Sequence, residues 1–280
     1  MTRDRSFALS VSDALPPDLL ADRIRHVSTL ARGLKSMNHI CIRDDIGDPM
    51  MFSMAAVFAE STGLEVILES PDLACLAAAV GAMDTVPTLL SPEADQTALL
   101  TIAADTRSAV VVSSYDPEEL PALAQSALND GCEGVFVHPI AQSMKTCLES
   151  TVRTKRLCDI PVVCRAWSGE YALSLSSVCF LRGGSLAVLD DLDPTACSVL
   201  DSLIRNLYRC SFRCRHLSKS LDAIYDCIRM DGASILLLAS SAISRGSADH
   251  QILPHRHGHV AGHVPLSSPG CGRRGTAGER

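Results

Sequence analysis

The stretch NHICIRDDIGDPMMFSMAAVFAESTGLEVILE, residues 38–69, decides the fold because it reads as strand, helix and strand in succession. Its two apolar segments, residues 38–43 and 64–69, each end in a charged residue. The helix-like segment between them begins at Asp48 and ends at Gly63, a typical C-cap residue. A strand–helix–strand unit of this kind builds a parallel sheet through a right-handed crossover.

The same unit recurs eight times within the first 210 residues. The predicted strands are Phe7–Ser12, Asn38–Arg43, Leu64–Glu69, Val86–Leu90, Ala109–Ser114, Gly134–His138, Ile160–Arg165 and Ser185–Leu189. Eight such units predict a (β/α)₈ barrel over residues 1–215, with its functional groups on the loops that follow the strands. An open flavodoxin-like sheet is the competing fold, but eight consecutive units favour closure.

Prolines mark the starts of six predicted helices, in most cases directly after an Asp or Ser that could cap the helix. The prolines at these starts are Pro17, Pro49, Pro71, Pro92, Pro117 and Pro194.

The composition excludes several classes of protein. A net charge of −7 argues against nucleic acid as a partner, because phosphate binding needs clustered Lys and Arg. The longest apolar run, at 235–239 and its flanks, is too short to span a membrane. The first residues carry arginines without a long apolar segment, so we expect no secretory signal and a cytoplasmic location.

The chain contains 12 cysteines but no CxxC pair and no cluster of four. Cys41 and Cys164 fall in predicted strands, and several others fall in predicted helices. We therefore interpret the cysteines as free, small apolar side chains of a reduced protein, and predict no metal site. Cys210 and Cys214, four residues apart on one helix, give only a weak metal signal.

The sequence changes in character after residue 215. Residues 234–242 (SILLLASSA) resemble a single strand, and residues 244–280 are rich in Gly, Ser, His, Arg and Pro. Such a segment buries too little apolar surface to offset its ordering entropy, so we predict a disordered tail. Five histidines in this tail could bind a divalent metal, but adventitious binding is the more common behaviour of such segments.

Charged and polar side chains follow the predicted strands, and a barrel would bring them together at one mouth. The side chains expected in this ring are Arg43, Glu69, His138, Arg165 and Asp190. The ring could hold a polar ligand or perform acid–base chemistry, with His138 as the group that titrates nearest neutral pH. Alternatively, the arginines could pair with the neighbouring acids and serve only the fold. Trp167 could line a pocket or cap the barrel.

Several segments resemble the barrel of the large (gamma) subunit of the corrinoid iron–sulfur protein. That family shows an opening strand that ends in Val-Ser-Asp, as residues 11–13 do, and a strand followed by Arg-Asp-x-x-Gly-Asp-Pro, as residues 43–49 do. Its closing helix contains Asn and Tyr, in register with Asn206 and Tyr208. The similarity covers residues 7–209 and rests on the order of all the motifs together.

The resemblance implies a role in passing a methyl group from a methyl-tetrahydropterin toward acetyl-CoA, with a corrinoid (cobamide) as the cofactor. It also implies a heteromer with a second barrel subunit (the small subunit of the corrinoid protein) or with a methyltransferase. In that family the barrel is mainly a platform. The residues 216–243 resemble a remnant of the corrinoid domain, with Ser240 and Ser241 in its cofactor loop.

This sequence departs from the family at several positions. His138 stands where the family has Asp, and Ile140 stands where it has Gly. We find no counterpart of the family's four-cysteine domain, so we expect no iron–sulfur cluster ligands in this chain. The resemblance therefore favours a binding or scaffold barrel.

Two alternatives remain open from the sequence. The barrel could be an independent methyltransferase that binds a pterin at its mouth through Asp44, His138 and Asp190. It could also be a degenerate paralogue with a structural role only.

Overall fold

The computed structural model describes residues 5–141, 143–166 and 172–216. The strands are β1 (Ser6–Ser12), β2 (His39–Arg43), β3 (Glu65–Glu69), β4 (Thr88–Leu90), β5 (Ala109–Ser114), β6 (Val135–Pro139), β7 (Val163–Ala166) and β8 (Leu186–Leu189). The helices are α1 (Pro17–Gly33), α2 (Pro49–Glu60), α3 (Leu73–Ala82), α4 (Gln96–Thr106), α5 (Leu120–Asn129), α6 (Met144–Leu157), α7 (Ala172–Leu181) and α8 (Pro194–His216).

The eight strands form one parallel sheet that curls into a nearly closed barrel. Each strand from β1 to β5 pairs with the next, β7 pairs with β8, and β8 pairs with β1. Between β6 and β7 the register is held by a single bridge from Val137 to Val162, with the Val137 N–H donating to the Pro161 carbonyl at 2.9 Å. The predicted (β/α)₈ barrel is confirmed.

The strands are buried on both faces, which explains why they read as apolar runs. Along β1, Phe7 and Leu9 point outward into the layer beneath the helices, whereas Ala8 points into the barrel. The interior of the barrel is filled mainly by small and medium side chains, including Cys41 and Val111. This packed interior leaves the ends of the strands as the place for a functional site.

Three helices begin at the predicted prolines. Helix α1 begins at Pro17, α2 at Pro49 and α8 at Pro194. The side chain of Asp48 accepts the Met50 N–H and caps α2.

The predicted starts at Pro71, Pro92 and Pro117 are wrong, because each helix begins two to four residues later. In α3 and α4 a later carboxylate provides the cap: Asp72 accepts the Ala74 N–H at 2.8 Å, and Asp95 accepts the Thr97 N–H at 2.9 Å. The residues around Pro117 instead form a turn before α5 begins.

No helix in the described ranges is both long enough and apolar enough to cross a membrane. The predicted corrinoid-domain remnant at 216–243 lies outside the described residues, apart from its first position, which ends α8. The predicted tail at 244–280 lies wholly outside them.

Candidate functional site

Charged side chains from four neighbouring or facing strands meet at the carboxyl end of the barrel. Arg43 ends β2, Glu69 ends β3 and Arg165 lies near the end of β7. Asp190 directly follows β8. All strands are parallel, so these positions lie at the same end of the barrel, as the sequence predicted.

A chain of ion pairs joins these four residues. The Arg165 Nε–H donates to Glu69 Oε1 at 2.7 Å, and Arg165 Nη2 donates to Asp190 Oδ1. Arg43 Nη1 donates to the same Asp190 oxygen at 2.8 Å. Arg43 Nε also donates to Asp45 Oδ1 at 2.9 Å. Two guanidinium groups therefore share one carboxylate, and each of them binds a second carboxylate.

Arg165 is the buried centre of this network, with only 5% of its surface exposed. Burial disfavours its charge, but the carboxylates of Glu69 and Asp190 outweigh this effect and raise the pKa of Arg165. Its Nη1 also donates to the Val188 carbonyl at 3.4 Å. Arg165 is thus a fixed cation whose donors are committed to partners within the barrel.

The turn after β2 holds a second carboxylate in place. Asp44 Oδ1 accepts the Gly47 N–H at 2.6 Å, and Asp44 Oδ2 accepts the Ser70 hydroxyl at 2.6 Å. Gly47 adopts φ +76°, a backbone conformation that glycine tolerates best. Burial opposes ionisation of Asp44, but these hydrogen bonds outweigh it and lower its pKa. Asp44 is therefore held as a carboxylate.

Asp13, which follows β1, is fully buried beside this turn. Its Oδ1 accepts the Asp45 N–H at 2.8 Å, whereas its Oδ2 has no hydrogen-bond partner among the described residues. Burial and the nearby carboxylates of Asp44 and Asp45 raise the pKa of Asp13. Asp13 and Asp44 are thus neighbouring acids whose pKa values are shifted in opposite directions.

A cavity of about 290 Å³ opens at this mouth. Its lining is Arg43, Asp44, Asp45, Glu69, Ser70, Pro71, Pro92, Glu93, Tyr115, His138, Ile140 and Arg165. This volume lies at the lower end of the range for small-molecule sites, which is about 300–1,000 Å³.

His138 contributes a neutral ring to the cavity. Burial lowers its pKa to about 4, Cys147 acts in the opposite direction, and the charge of Arg165 acts in the same direction as burial. Its Nδ1 lies 3.5 Å from the Ser113 hydroxyl oxygen, at the limit of a hydrogen bond. At neutral pH the ring is uncharged, so it can exchange hydrogen bonds with a ligand but adds no charge.

Two of the three predicted site residues in the barrel line the cavity, and the third lies next to it. Asp44 and His138 both line the cavity, whereas Asp190 contacts the two lining arginines. The predicted cofactor residues Ser240 and Ser241, and also Trp167, lie outside the described residues.

Sequence reasoning missed some lining residues. Ser70 and Glu93 lie in the loops after β3 and β4, so their position after an apolar run was the available signal. It also missed a group of three cysteines, Cys147, Cys164 and Cys179, on consecutive elements behind the mouth. No spacing motif marks that group, because it forms only when α6, β7 and α7 pack together.

The fold and the cavity define a (β/α)₈ barrel with a polar cavity at the strand ends, where barrels of this architecture carry their functional groups. Solved structures of similar fold include dihydropteroate synthase from Thermus thermophilus, at 13% identity and TM-score 0.59, covering 73% of this chain and 95% of that one. Dihydropteroate synthase from Xanthomonas albilineans, in complex with 7,8-dihydropteroate, is similar at 15% identity and TM-score 0.57, covering 74% and 95%. Phospho-2-dehydro-3-deoxyheptonate aldolase from Thermotoga maritima gives 12% identity and TM-score 0.58, covering 74% and 70%. At these identities the likeness concerns the fold.

Residues 2–158 match the family model of the CO dehydrogenase/acetyl-CoA synthase delta subunit. The chain belongs to this family. No curated protein is similar to the chain in sequence at a significant level. The family agrees with the sequence resemblance at the level of the enzyme complex, and it indicates the delta subunit where the resemblance indicated the gamma subunit.

Proposed function

We propose that this chain is a docking subunit of a CO dehydrogenase/acetyl-CoA synthase complex, in which its barrel positions partners and does not itself catalyse a reaction. In this role it would serve the transfer of a methyl group from a methyl-tetrahydropterin toward acetyl-CoA. The observation that carries the docking role is the exposed apolar face of α2, with Met50 74% exposed. The ion-pair network at the mouth, where Arg43 and Arg165 are held by Asp190 and by two further carboxylates, favours a structural role for the charges there.

Among the residues that the structure describes, His138 does not have the properties of a general base for the mouth. A general base works best with a pKa near the working pH, but the pKa of His138 is about 4. A nucleophile needs a base within hydrogen-bond reach, and the nearest hydroxyl to His138, that of Ser113, is a marginal 3.5 Å away. Structural pairing explains these charges better than catalysis does.

The exposed face of α2 supports a docking role. Helix α2 contains no charged residue before Glu60, although one side of it faces solvent. Met50 is 74% exposed, and the exposed Met54 and Val57, four and seven residues further along the helix, extend the same apolar strip. Met side chains suit protein interfaces because they adapt their shape to a partner. We propose that another subunit of the complex covers this strip, in keeping with a family of subunits.

The corrinoid belongs elsewhere in this proposal. A corrinoid is larger than a drug-sized ligand, whereas the cavity of about 290 Å³ is at the small end even for those. The cavity at the mouth is therefore too small to enclose a corrinoid. The described cysteines bring together only Cys147, Cys164 and Cys179, one fewer than the four that an iron–sulfur cluster needs.

The proposal is tested by co-expressing the chain with the large (gamma) barrel subunit of the corrinoid protein, or with the methyltransferase, from the same organism. Size-exclusion chromatography with light scattering should give a heteromer of defined mass. The visible spectrum of the chain alone should show no corrinoid band. A chain that stays separate from both partners would contradict the docking role, and a corrinoid band that follows the isolated chain would contradict our placement of the cofactor.

A second candidate function is binding of a methyl-tetrahydropterin in the mouth cavity. The observation that favours it is the presence of Asp44 and His138 in one cavity lining, since a carboxylate and a neutral imidazole can accept and donate hydrogen bonds to a flat heterocycle. Calorimetric titration with methyltetrahydrofolate tests it. Binding that Asp44→Asn weakens would support this function, and the absence of heat at high micromolar protein would remove it.

A further inference from the structure

Three cysteines that lie far apart in sequence meet behind the mouth of the barrel. Cys147 lies on α6, Cys164 on β7 and Cys179 on α7. Cys164 and Cys179 are buried, and Cys147 is partly exposed. Because Cys164 points away from the barrel interior, the group lies in the layer between the strands and the helices. It is therefore separate from the ion-pair network at the mouth.

The spacing of the sulfur atoms suits a shared ligand. The three Sγ atoms all lie within 4.8 Å of one another, and those of Cys147 and Cys179 are 3.9 Å apart. A metal–sulfur bond of about 2.3 Å places two thiolates about 3.8 Å apart in tetrahedral geometry and about 4.0 Å apart in trigonal geometry. The observed distance lies between these two values, so one cation could bind both sulfurs with little movement.

We propose that Cys147, Cys164 and Cys179 form a site for one thiophilic cation, zinc(II) or copper(I). Thiolate ligands select these soft or borderline ions over magnesium and calcium. Binding forms three metal–sulfur bonds, and each cysteine that binds as a thiolate releases its thiol proton to solvent. Copper(I) would be satisfied by the three sulfurs, whereas zinc(II) would take a fourth ligand on the partly exposed side of Cys147. This proposal does not depend on the docking role.

The site would tie three consecutive elements together at the weakest part of the barrel. Strands β6 and β7 are joined by a single bridge, and α6 connects them. A cation held by α6, β7 and α7 would stabilise this region by binding the folded state only. The expected readout is therefore a stability that rises with metal, in addition to metal content.

The full chain, purified under reducing and metal-free conditions, is loaded separately with zinc(II) and with copper(I). After desalting, metal content is measured by inductively coupled plasma mass spectrometry. We compare wild type with Cys147→Ser and Cys179→Ser, because serine keeps the size of the side chain. Cys158→Ser is the matched control, as Cys158 is a half-buried cysteine just after α6 that is not part of the group. Circular dichroism establishes that each variant is folded.

The expected result is that wild type and Cys158→Ser retain about one equivalent more metal than either cluster variant. Thermal unfolding should shift upward with metal in wild type and in Cys158→Ser only. The metal whose loading gives this difference in content, zinc(II) or copper(I), is the ion that the site binds. Equal metal content in all four proteins would overturn the proposal. A second result would also overturn it. Air oxidation of wild type would form a Cys147–Cys179 disulfide, recognised by an intact mass two hydrogens lower and by peptide mapping, and metal loading would not prevent that disulfide.

Discussion

Arg165 on β7 donates its Nε–H to Glu69 on β3 at 2.7 Å, across the mouth of the barrel. The two strands are four positions apart in an eight-stranded barrel, so this bond joins opposite walls. The ion pair is largely screened from solvent, with 4% of the Arg165 side chain and 12% of the Glu69 side chain exposed. This ion pair therefore links the two opposite walls of the barrel in addition to pairing two charges.

Arg165→Met should strongly destabilise the fold. Removal of the guanidinium leaves Glu69 and Asp190 with one fewer partner in a buried environment, which typically costs about 3–5 kcal/mol. Urea unfolding measures the loss. Lys145→Ala is the matched control, since its ion pair with Glu149 is exposed and such pairs contribute about 0–1 kcal/mol. Equal losses for the two variants would contradict the structural role of the network.

Asp13→Asn should raise the free energy of unfolding at neutral pH. The pKa of Asp13 is raised in the folded chain, so its ionised form destabilises the native state above the folded pKa. This penalty vanishes as pH falls through the folded pKa toward the unfolded value, because Asp13 is then protonated in both states. Denaturant unfolding at several pH values measures the gain, which should disappear in acid. If Asp13→Asn instead lowers the free energy of unfolding at neutral pH, the conclusion that Asp13 Oδ2 is buried without a hydrogen-bond partner among the described residues is contradicted.

Asp44→Asn should have the opposite effect. The pKa of Asp44 is lowered in the folded chain, so its ionised form stabilises the native state above the unfolded pKa. That contribution is lost as pH falls through the folded pKa. The variant should therefore be less stable than wild type at neutral pH and approach it in strong acid. The same unfolding series measures both variants. If Asp13→Asn and Asp44→Asn change the free energy of unfolding in the same direction, the opposite pKa shifts assigned to the two residues are wrong.

His138 should lower stability as the solution becomes acidic. Its folded pKa of about 4 lies below the ordinary 6.5, so the unfolded state takes up a proton first as pH falls below 6.5. The free energy of unfolding is therefore highest above pH 6.5 and falls as the pH drops to about 4, by roughly 3 kcal/mol in total. His138→Gln should flatten this part of the profile. An NMR titration in which the His138 ring shows an ordinary pKa would contradict its burial.

Gly47→Ala should destabilise the turn that holds Asp44. A side chain at φ +76° is strained whatever the space around it, and the expected cost is about 1 kcal/mol. Gly81→Ala is the control, because Gly81 lies inside α3 with open space around it and alanine favours a helix. Thermal unfolding compares the two. A Gly47→Ala protein as stable as Gly81→Ala would show that the turn does not require glycine.

The sequence was sufficient to predict the eight strands because each is buried on both faces and reads as a short apolar run. Helix starts were less predictable. Ser-Pro pairs suggested the starts of α3 and α4, but the residues that cap these helices are Asp72 and Asp95, which come later in the chain. The residues of the mouth could be named from their position after strands. Their pairing could not, because the bond from Arg165 to Glu69 depends on how opposite strands face each other. The three-cysteine group was hidden for the same reason.

The central claim, that this chain docks to another subunit through α2, is tested most directly by calorimetric titration of the chain with the large (gamma) barrel subunit of the corrinoid protein. The account predicts saturable binding that Met50→Glu weakens about tenfold or more, equivalent to about 1.4 kcal/mol. Leu128→Glu, a similar change at an exposed leucine on α5, should leave it unchanged. No binding, or equal binding by wild type and both variants, would contradict the claim.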